Sequence, residues 1–193
     1  MIIEPFAKLR DGLVADYTVK ESGTPWRARI CIGAEDVAEI RMRDDRTFLL
    51  IAKNGDEWML NARVYGEVRP FSMTVSQSRA HGDAAAGTAV LTIRDRLFLH
   101  NGKFYMLAGT PEGRPLQDFL LGKRYICRLD GFPFSDLTEI DDETTSRLRR
   151  FRGVPVGELE GPGMQGYHVH LSDELEDVSL PLSASCYLLY STP

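Results

Sequence analysis

The sequence lacks the cysteine and N-terminal patterns of several common protein classes. Its three cysteines, Cys31, Cys127 and Cys186, form no Cys-x-x-Cys pair and stand far apart in apolar or alternating runs. We therefore predict reduced core thiols of a cytosolic protein rather than a metal or redox centre. The N-terminus has neither a basic region nor an apolar run, so we expect no secretory signal peptide.

Motifs for nucleotide binding and for nucleophilic catalysis are also missing. The glycine-containing loops at 101–103 and 109–113 match neither Gly-x-x-x-x-Gly-Lys-Ser/Thr nor Gly-x-Gly-x-x-Gly, and no cofactor is predicted. Ser183, Ser185 and Cys186 have no base nearby in the sequence, so we expect no catalytic residue among them. The formal net charge of −5 argues against a nucleic-acid partner.

Charge is absent from residues 179–190, near the end of the chain. Pro181 suits the first turn of a helix and Ser179 could cap it, but the segment is too short and too rich in hydroxyl groups to span a bilayer. An element without a polar face needs protein on all sides. We predict a buried C-terminal hydrophobic helix; a central strand is the alternative, and an apolar ligand in its place is a third possibility.

Most of the remaining chain alternates apolar and polar residues with a period of two, which is typical of half-buried strands. Asn54-Gly55 and Asn101-Gly102 separate such runs, and Asn-Gly predicts type I′ hairpin turns. Residues 76–87 are small and polar, and we predict a flexible loop there that joins two halves of a single domain, 1–193. Many short strands and little helix predict an all-β protein, a closed barrel or a sandwich, because an open sheet would expose its edges.

Three stretches carry a family resemblance. Residues 65–73 read Tyr-Gly-Glu-Val-Arg-Pro-Phe-Ser-Met, residues 153–159 read Gly-Val-Pro-Val-Gly-Glu-Leu, and the alternating residues 167–171 precede the apolar residues 180–190. The first is similar to a strand turning into an Arg-Pro-Phe run in phospholipid scramblases, and the second to a glycine-bracketed strand before the last one. The chain thus resembles the tubby C-terminal-like superfamily, which includes the LURP-one-related proteins and the scramblases.

The resemblance implies a fold and a kind of function. It implies a closed antiparallel β-barrel of about twelve strands around a buried C-terminal hydrophobic helix, and a non-enzymatic role at membranes. The lipid-contacting basic residues of the family have no motif match here, so none is transferred. The chain also has no cysteine-rich palmitoylation cluster or scramblase-type calcium loop, and we do not expect scrambling. We expect a cytoplasmic binding or scaffold protein that lies peripherally on anionic phospholipid headgroups.

The densest positive run of the chain lies between residues 147 and 152. A guanidinium presents a planar fork of donors that suits phosphate, whereas the alternative is a solvated strand neutralised by the acidic residues before it. Electrostatics must supply any membrane binding, because the chain has no lipidation motif. The arginines that we predict to contact headgroups are Arg147, Arg149, Arg150 and Arg152, helped by Arg41, Arg43 and Arg46.

The most chemical-looking spacing is His168-Val-His170 followed by Glu174. On a strand the two imidazoles share one face, and the carboxylate could complete a metal site like the first motif of cupins. No second histidine motif follows, so His81 or His100 would have to supply a further ligand. The alternatives are a small metal-dependent β-barrel enzyme and two exposed histidines without a metal, and we predict the second.

Overall fold

The structure is a computed structural model, and it describes residues 13–21, 27–44, 46–64, 71–79, 89–111, 123–141, 143, 152–163 and 166–191. This part of the chain is mostly antiparallel β-sheet with one C-terminal α-helix, α1 (Ser179–Ser191). Two short 3₁₀ helices are η1 (Leu137–Glu139) and η2 (Asp173–Val178). The twelve strands among the described residues are β1 (Leu13–Glu21), β2 (Arg27–Ile32), β3 (Glu35–Asp44), β4 (Thr47–Ala52), β5 (Glu57–Val64), β6 (Phe71–Arg79), β7 (Ala89–Arg94), β8 (Leu97–His100), β9 (Lys103–Pro111), β10 (Lys123–Arg128), β11 (Arg152–Gly163) and β12 (Gly166–Ser172).

Strands that follow one another along the chain are neighbours in the sheet. The order of hydrogen-bonded neighbours is β1-β12-β11-β10-β9-β8-β7-β6-β5-β4-β3-β2, and β2 pairs with β1. Each of these pairings is antiparallel, and β9 makes one further parallel pairing with the start of β11. The predicted all-β class with a C-terminal helix is therefore confirmed.

Helix α1 is buried and contacts strands from distant parts of the sheet. It contacts β12 and β1 on one side and β6 on another, and β12 and β6 are six strands apart in either direction along the order of neighbours. The Ser185 hydroxyl oxygen lies 3.2 Å from the Met73 sulfur of β6, and the rings of Tyr187 and of Tyr167 on β12 meet edge-on with their centroids 5.3 Å apart. The prediction of a buried helix is confirmed, and the alternative of a central strand is wrong.

Local hydrogen bonds explain why α1 tolerates several hydroxyl groups in the core. Ser183 and Ser185 donate to the carbonyl oxygens one turn earlier, of Ser179 and Pro181, at 2.7 and 2.8 Å. Such bonds to the helix backbone satisfy a hydroxyl that has no access to water. The expected cap at Ser179 is wrong, because Ser179 already has helical backbone angles and η2 leads directly into the helix.

The two Asn-Gly hairpins differ in their turns. Asn101 and Gly102 both have positive φ, 48° and 71°, and His100 pairs with Lys103, so the type I′ prediction holds there. At the other hairpin Gly55 has φ 93°, but Asn54 is not among the residues with positive φ. Five residues separate the paired positions Ile51 and Glu57, against two between His100 and Lys103, so the hairpin prediction is correct and its type I′ geometry is wrong.

The loop predicted at 76–87 begins later than expected. Strand β6 continues through Arg79, where it pairs with Glu57 of β5. Residues 76–79 are polar yet retain strand pairing, which a polar composition does not reveal. The remainder of the predicted loop lies outside the described residues, as do the Tyr65–Pro70 part of the first resemblance stretch and most of the predicted arginine run.

A second, smaller apolar cluster covers the outer face of β8 and β9. Phe98 and Tyr105 belong to the main core, so their neighbours Leu97 and Met106 point to the other face. There the segment after β10 folds back over them. The buried members of this cluster are Leu97, Phe104, Met106, Leu129 and Ile140, and Leu99, Phe132, Phe134 and Leu137 pack against it. Phe132 and Phe134 thus pack on an outer face of the sheet.

The glycines of residues 153–159 sit where neighbouring strands approach closely. A Cβ added to Gly153 would lie 2.6 Å from the carbonyl oxygen of Arg128 on β10. A Cβ on Gly157 would lie 2.9 Å from a side-chain carbon of Leu171 on β12. Only glycine fits such backbone approaches, which accounts for the glycine bracketing of β11.

Candidate functional site

The end of β3 is exposed where its inner face leaves the core. Ala38 and Ile40 are buried, whereas the last four residues of the strand, 41–44, are exposed. Met42 continues the inward-facing row of Ala38 and Ile40, but 41% of its surface is accessible to solvent. The β3–β4 hairpin therefore ends in a tip, described at residues 41–44 and 46, that extends past the packed interior.

The tip combines an apolar side chain with exposed guanidinium groups. Arg41 and Arg43 flank Met42 on the opposite face of the strand, and Arg46 lies in the turn and is also exposed. An exposed apolar residue among cations is the composition of a surface that meets anionic headgroups and acyl chains together. Sequence analysis selected these arginines but missed Met42, because its alternation with charged residues indicated a core position.

Acidic residues reduce the positive charge of the tip. The Arg41 guanidinium donates twice to Glu39, at 2.9 and 2.6 Å, and this bonding raises the pKa of Arg41 above its usual value. The Asp44 carboxylate accepts from the Arg46 amide at 3.0 Å, which is the main cause of the lowered pKa of Asp44. Asp44 thus stays ionised and orders the turn, while Arg43 and Arg46 keep their guanidinium groups exposed.

The other predicted arginines lie elsewhere or outside the described residues. Arg147, Arg149 and Arg150 belong to a stretch that the structure does not describe, and Arg152 is exposed at the start of β11. Strands β2, β1 and β12 separate β3 from β11. The structure therefore does not place Arg152 beside the tip.

The histidine site is not assembled as the alternative prediction requires. His168 and His170 share the face of β12 opposite to Val169 and Leu171, as the alternation predicts, but His170 is buried and not exposed. Glu174 accepts from Arg128 at 2.8 Å and lies 3.8 Å from the Lys103 ammonium. Among the described residues no group of three or more histidine, cysteine or acidic side chains could hold a metal ion.

Polar contacts at the opposite end of the sheet fasten η2 to the strands. Arg128 donates to both Asp130 and Glu174, and these bonds, the first above all, raise its pKa. The His100 ring nitrogen lies 2.9 Å from a carboxylate oxygen of Asp177. These contacts join the β8–β9 hairpin and the end of β10 to the segment that leads into α1, so their arrangement has a structural explanation.

The buried thiols are unsuited to nucleophilic chemistry. All three cysteines are buried and reduced, as predicted, with no disulfide among the described residues. Burial raises the pKa of Cys127 and of Cys186 to about 12, so the thiolate is scarce at neutral pH. Ser183 and Ser185, on the same helix as Cys186, are fully buried and bonded to its backbone, and none of these groups faces solvent.

Comparisons with known proteins assign no family. No protein-family model matches the chain, and neither a curated protein nor a solved structure does. Within the described residues, no helix has both the length and the apolarity to cross a membrane.

Proposed function

We propose that the protein is a non-enzymatic binding protein that docks on the anionic cytoplasmic face of membranes through the β3–β4 tip. One observation carries the proposal: Met42 is exposed between Arg41 and Arg43, with Arg46 exposed in the adjoining turn. The apolar side chain enters the headgroup layer while the guanidinium groups bind phosphates. Docking of this kind is peripheral and needs no spanning segment.

The proposal includes a tubby-like scaffold, in which the strands form a closed barrel filled by α1. The pairing of β1 with both β2 and β12 supports closure, and the contacts of α1 with β6 and β12 support an enclosed helix. Closure pairs β1 with β2 and so holds the β3–β4 tip on a rigid base. The barrel thus presents the hairpin, and the helix stabilises the barrel.

Magnitudes predict a weak, salt-sensitive attachment. Each basic residue near an anionic surface contributes about 1 kcal/mol, and burial of a methionine side chain about 1.5–3 kcal/mol. Glu39, Asp44 and Asp45 offset most of the charge of the three arginines, so the total is about 2–3 kcal/mol. That total corresponds to dissociation constants on the order of ten millimolar, which salt weakens further.

Vesicle co-sedimentation tests the proposal, with vesicles that contain phosphatidylserine and a phosphoinositide, at low and high salt. The tip variant replaces Arg41, Arg43 and Arg46 with Gln; the control variant replaces Arg29, Arg94 and Arg96, three exposed arginines elsewhere, with Gln. Both variants change the net charge of the protein equally, so a difference between them in vesicle binding shows that the position of the arginines matters. We expect the tip variant to lose most low-salt binding and the control to keep it. Equal binding by the two variants, or none by the wild type, would refute the proposal.

A further inference from the structure

Strands β7 and β8 separate soon after their turn. Their pairing comprises Arg94 with Leu97 and Ile93 with Phe98, and in the described part of the chain it goes no further. Strand β7 nevertheless continues back to Ala89, paired on its other side with β6. Residues 89–92 therefore border a gap in the sheet, and a groove of about 430 Å³ lies along them.

Hydrogen-bonding groups of the β7 backbone point into this groove. In an antiparallel strand the N–H and C=O groups of successive residues alternate between the two neighbours. Arg94 closes the two-residue turn with β8, so Thr92 directs its backbone groups to the β8 side, while Leu91 and Ile93 face β6. A register shift between Val75 and Ser76 of β6 interrupts the alternation opposite Val90. Open strand edges of this kind accept a further strand.

The groove walls define the chemistry of a partner strand. Leu99 of β8 and Leu137 of η1 supply apolar surface, and Val90 contributes from β7 itself. Asp136 and Thr138 also line the groove, and the Asp136 carboxylate accepts from the Thr138 and Glu139 amides. At one end the Arg94 guanidinium donates to the Leu137 carbonyl at 3.1 Å and remains exposed, which leaves a positive charge beside the groove. A bound segment needs an extended backbone, apolar side chains and an acidic residue near Arg94.

We propose that β7 binds an extended peptide segment of a partner protein by strand addition, with a carboxylate of that segment bound by Arg94. Four residues of open edge match a stretch of about 13 Å. Charge and hydrogen-bond complementarity select a peptide strand over a compact apolar ligand, which would leave the backbone groups unpaired. A second copy of this chain is disfavoured as the occupant because the β7 edge is recessed between Leu99 and Leu137. The same side chains of the second copy would keep the two edges apart.

A displayed library of random dodecapeptides is the probe, selected on the wild-type protein. The test variants are Thr92→Pro, which removes one groove-facing N–H, and Ala89→Arg, which fills the groove from an exposed position. The control is Glu35→Arg, exposed on β3. Melting temperatures identify any variant that fails to fold. If Thr92→Pro fails to fold, Ala89→Arg still tests the groove.

We expect the selected peptides to be apolar and acidic. They should bind both groove variants at least about tenfold more weakly and the control unchanged, as the loss of a hydrogen bond and of its flanking contacts requires. A synthetic copy should slow amide exchange at Thr92. No enrichment, equal binding to all variants, or a dimer that Ala89→Arg dissociates would each overturn the proposal, the last in favour of a second copy.

Discussion

The Lys123 ammonium of β10 lies 2.9 Å from a carboxylate oxygen of Glu158 on β11, and both side chains are more than nine-tenths buried. Glu158 Oε2 finds no hydrogen-bond partner among the described residues, so the ion pair depends on this single contact. The residues are diagonal neighbours, since Glu158 pairs with Tyr125 and Lys123 with Glu160. A charge buried in this way requires its partner.

Removal of one member of this pair should be costly. Lys123→Met leaves a buried carboxylate without its cation and should lower the unfolding free energy by about 3–5 kcal/mol, whereas the double variant Lys123→Met/Glu158→Leu should recover most of that loss. Urea denaturation measures both. The control is Lys53→Met, whose partner Glu35 is 3.7 Å away and well exposed, with an expected loss of about 0–1 kcal/mol. Similar losses at the two sites would contradict the buried pair.

The helix should contribute stability in proportion to its burial. Leu182 is fully buried in the main core, whereas Leu180, two positions after the end of η2, is only partly buried. Leu182→Ala should lower the unfolding free energy by about 2–5 kcal/mol, because the cavity adds to the lost transfer energy. Leu180→Ala should cost clearly less in the same denaturation experiment. An equal or larger effect at Leu180 would show that α1 is not enclosed as described.

Acid should loosen η1, which forms one wall of the β7 groove. Asp136 accepts from the Thr138 hydroxyl and from the Thr138 and Glu139 amides, and Glu139 accepts from Ser135, so the pKa of each carboxyl is lowered from its usual 3.8 or 4.5. A lowered folded pKa means that the stabilisation is complete above those usual values and is lost as pH falls through the folded ones.

Amide exchange at Thr138 and Glu139, corrected for the intrinsic pH dependence, measures this loosening. Protection should hold from neutral pH to the usual carboxyl range and then fall in more acidic solution. Asp136→Asn removes one of the two titrating groups and should weaken the dependence. Protection that is unchanged through the acid range would contradict the capping role of these carboxylates.

Those features of the fold that depend on neighbouring positions in the sequence could be predicted. Alternation predicted the strands, and the missing charge of residues 179–190 predicted a buried helix, because both properties act on neighbouring positions. Contacts between distant positions were not predictable. Lys123 and Glu158 are 35 positions apart, and a register shift between Ile126 and Cys127 intervenes in the pairing of their strands.

The candidate site was predictable only in part, for the same reason. The arginines of the tip could be selected from local composition. The exposure of Met42 depends on how far β3 extends beyond the packed interior. The burial of His170 likewise depends on packing over the outer face of β12, which a period of two cannot report. The gap between β7 and β8 follows from pairing lengths that no sequence motif marks.

Fluorescence quenching by brominated lipids tests membrane docking by the tip most directly. Met42→Trp places a reporter at the tip. Ile32→Trp places one at the end of β2, where Ile32 pairs with Glu35, the first residue of β3; this position is about 23 Å from the tip and also exposed. With anionic vesicles at low salt, emission of the Met42→Trp protein, corrected for the native tryptophans, should shift to shorter wavelength and be quenched. Ile32→Trp emission should not change. Equal quenching of the two reporters, or quenching of Ile32→Trp alone, would contradict the account.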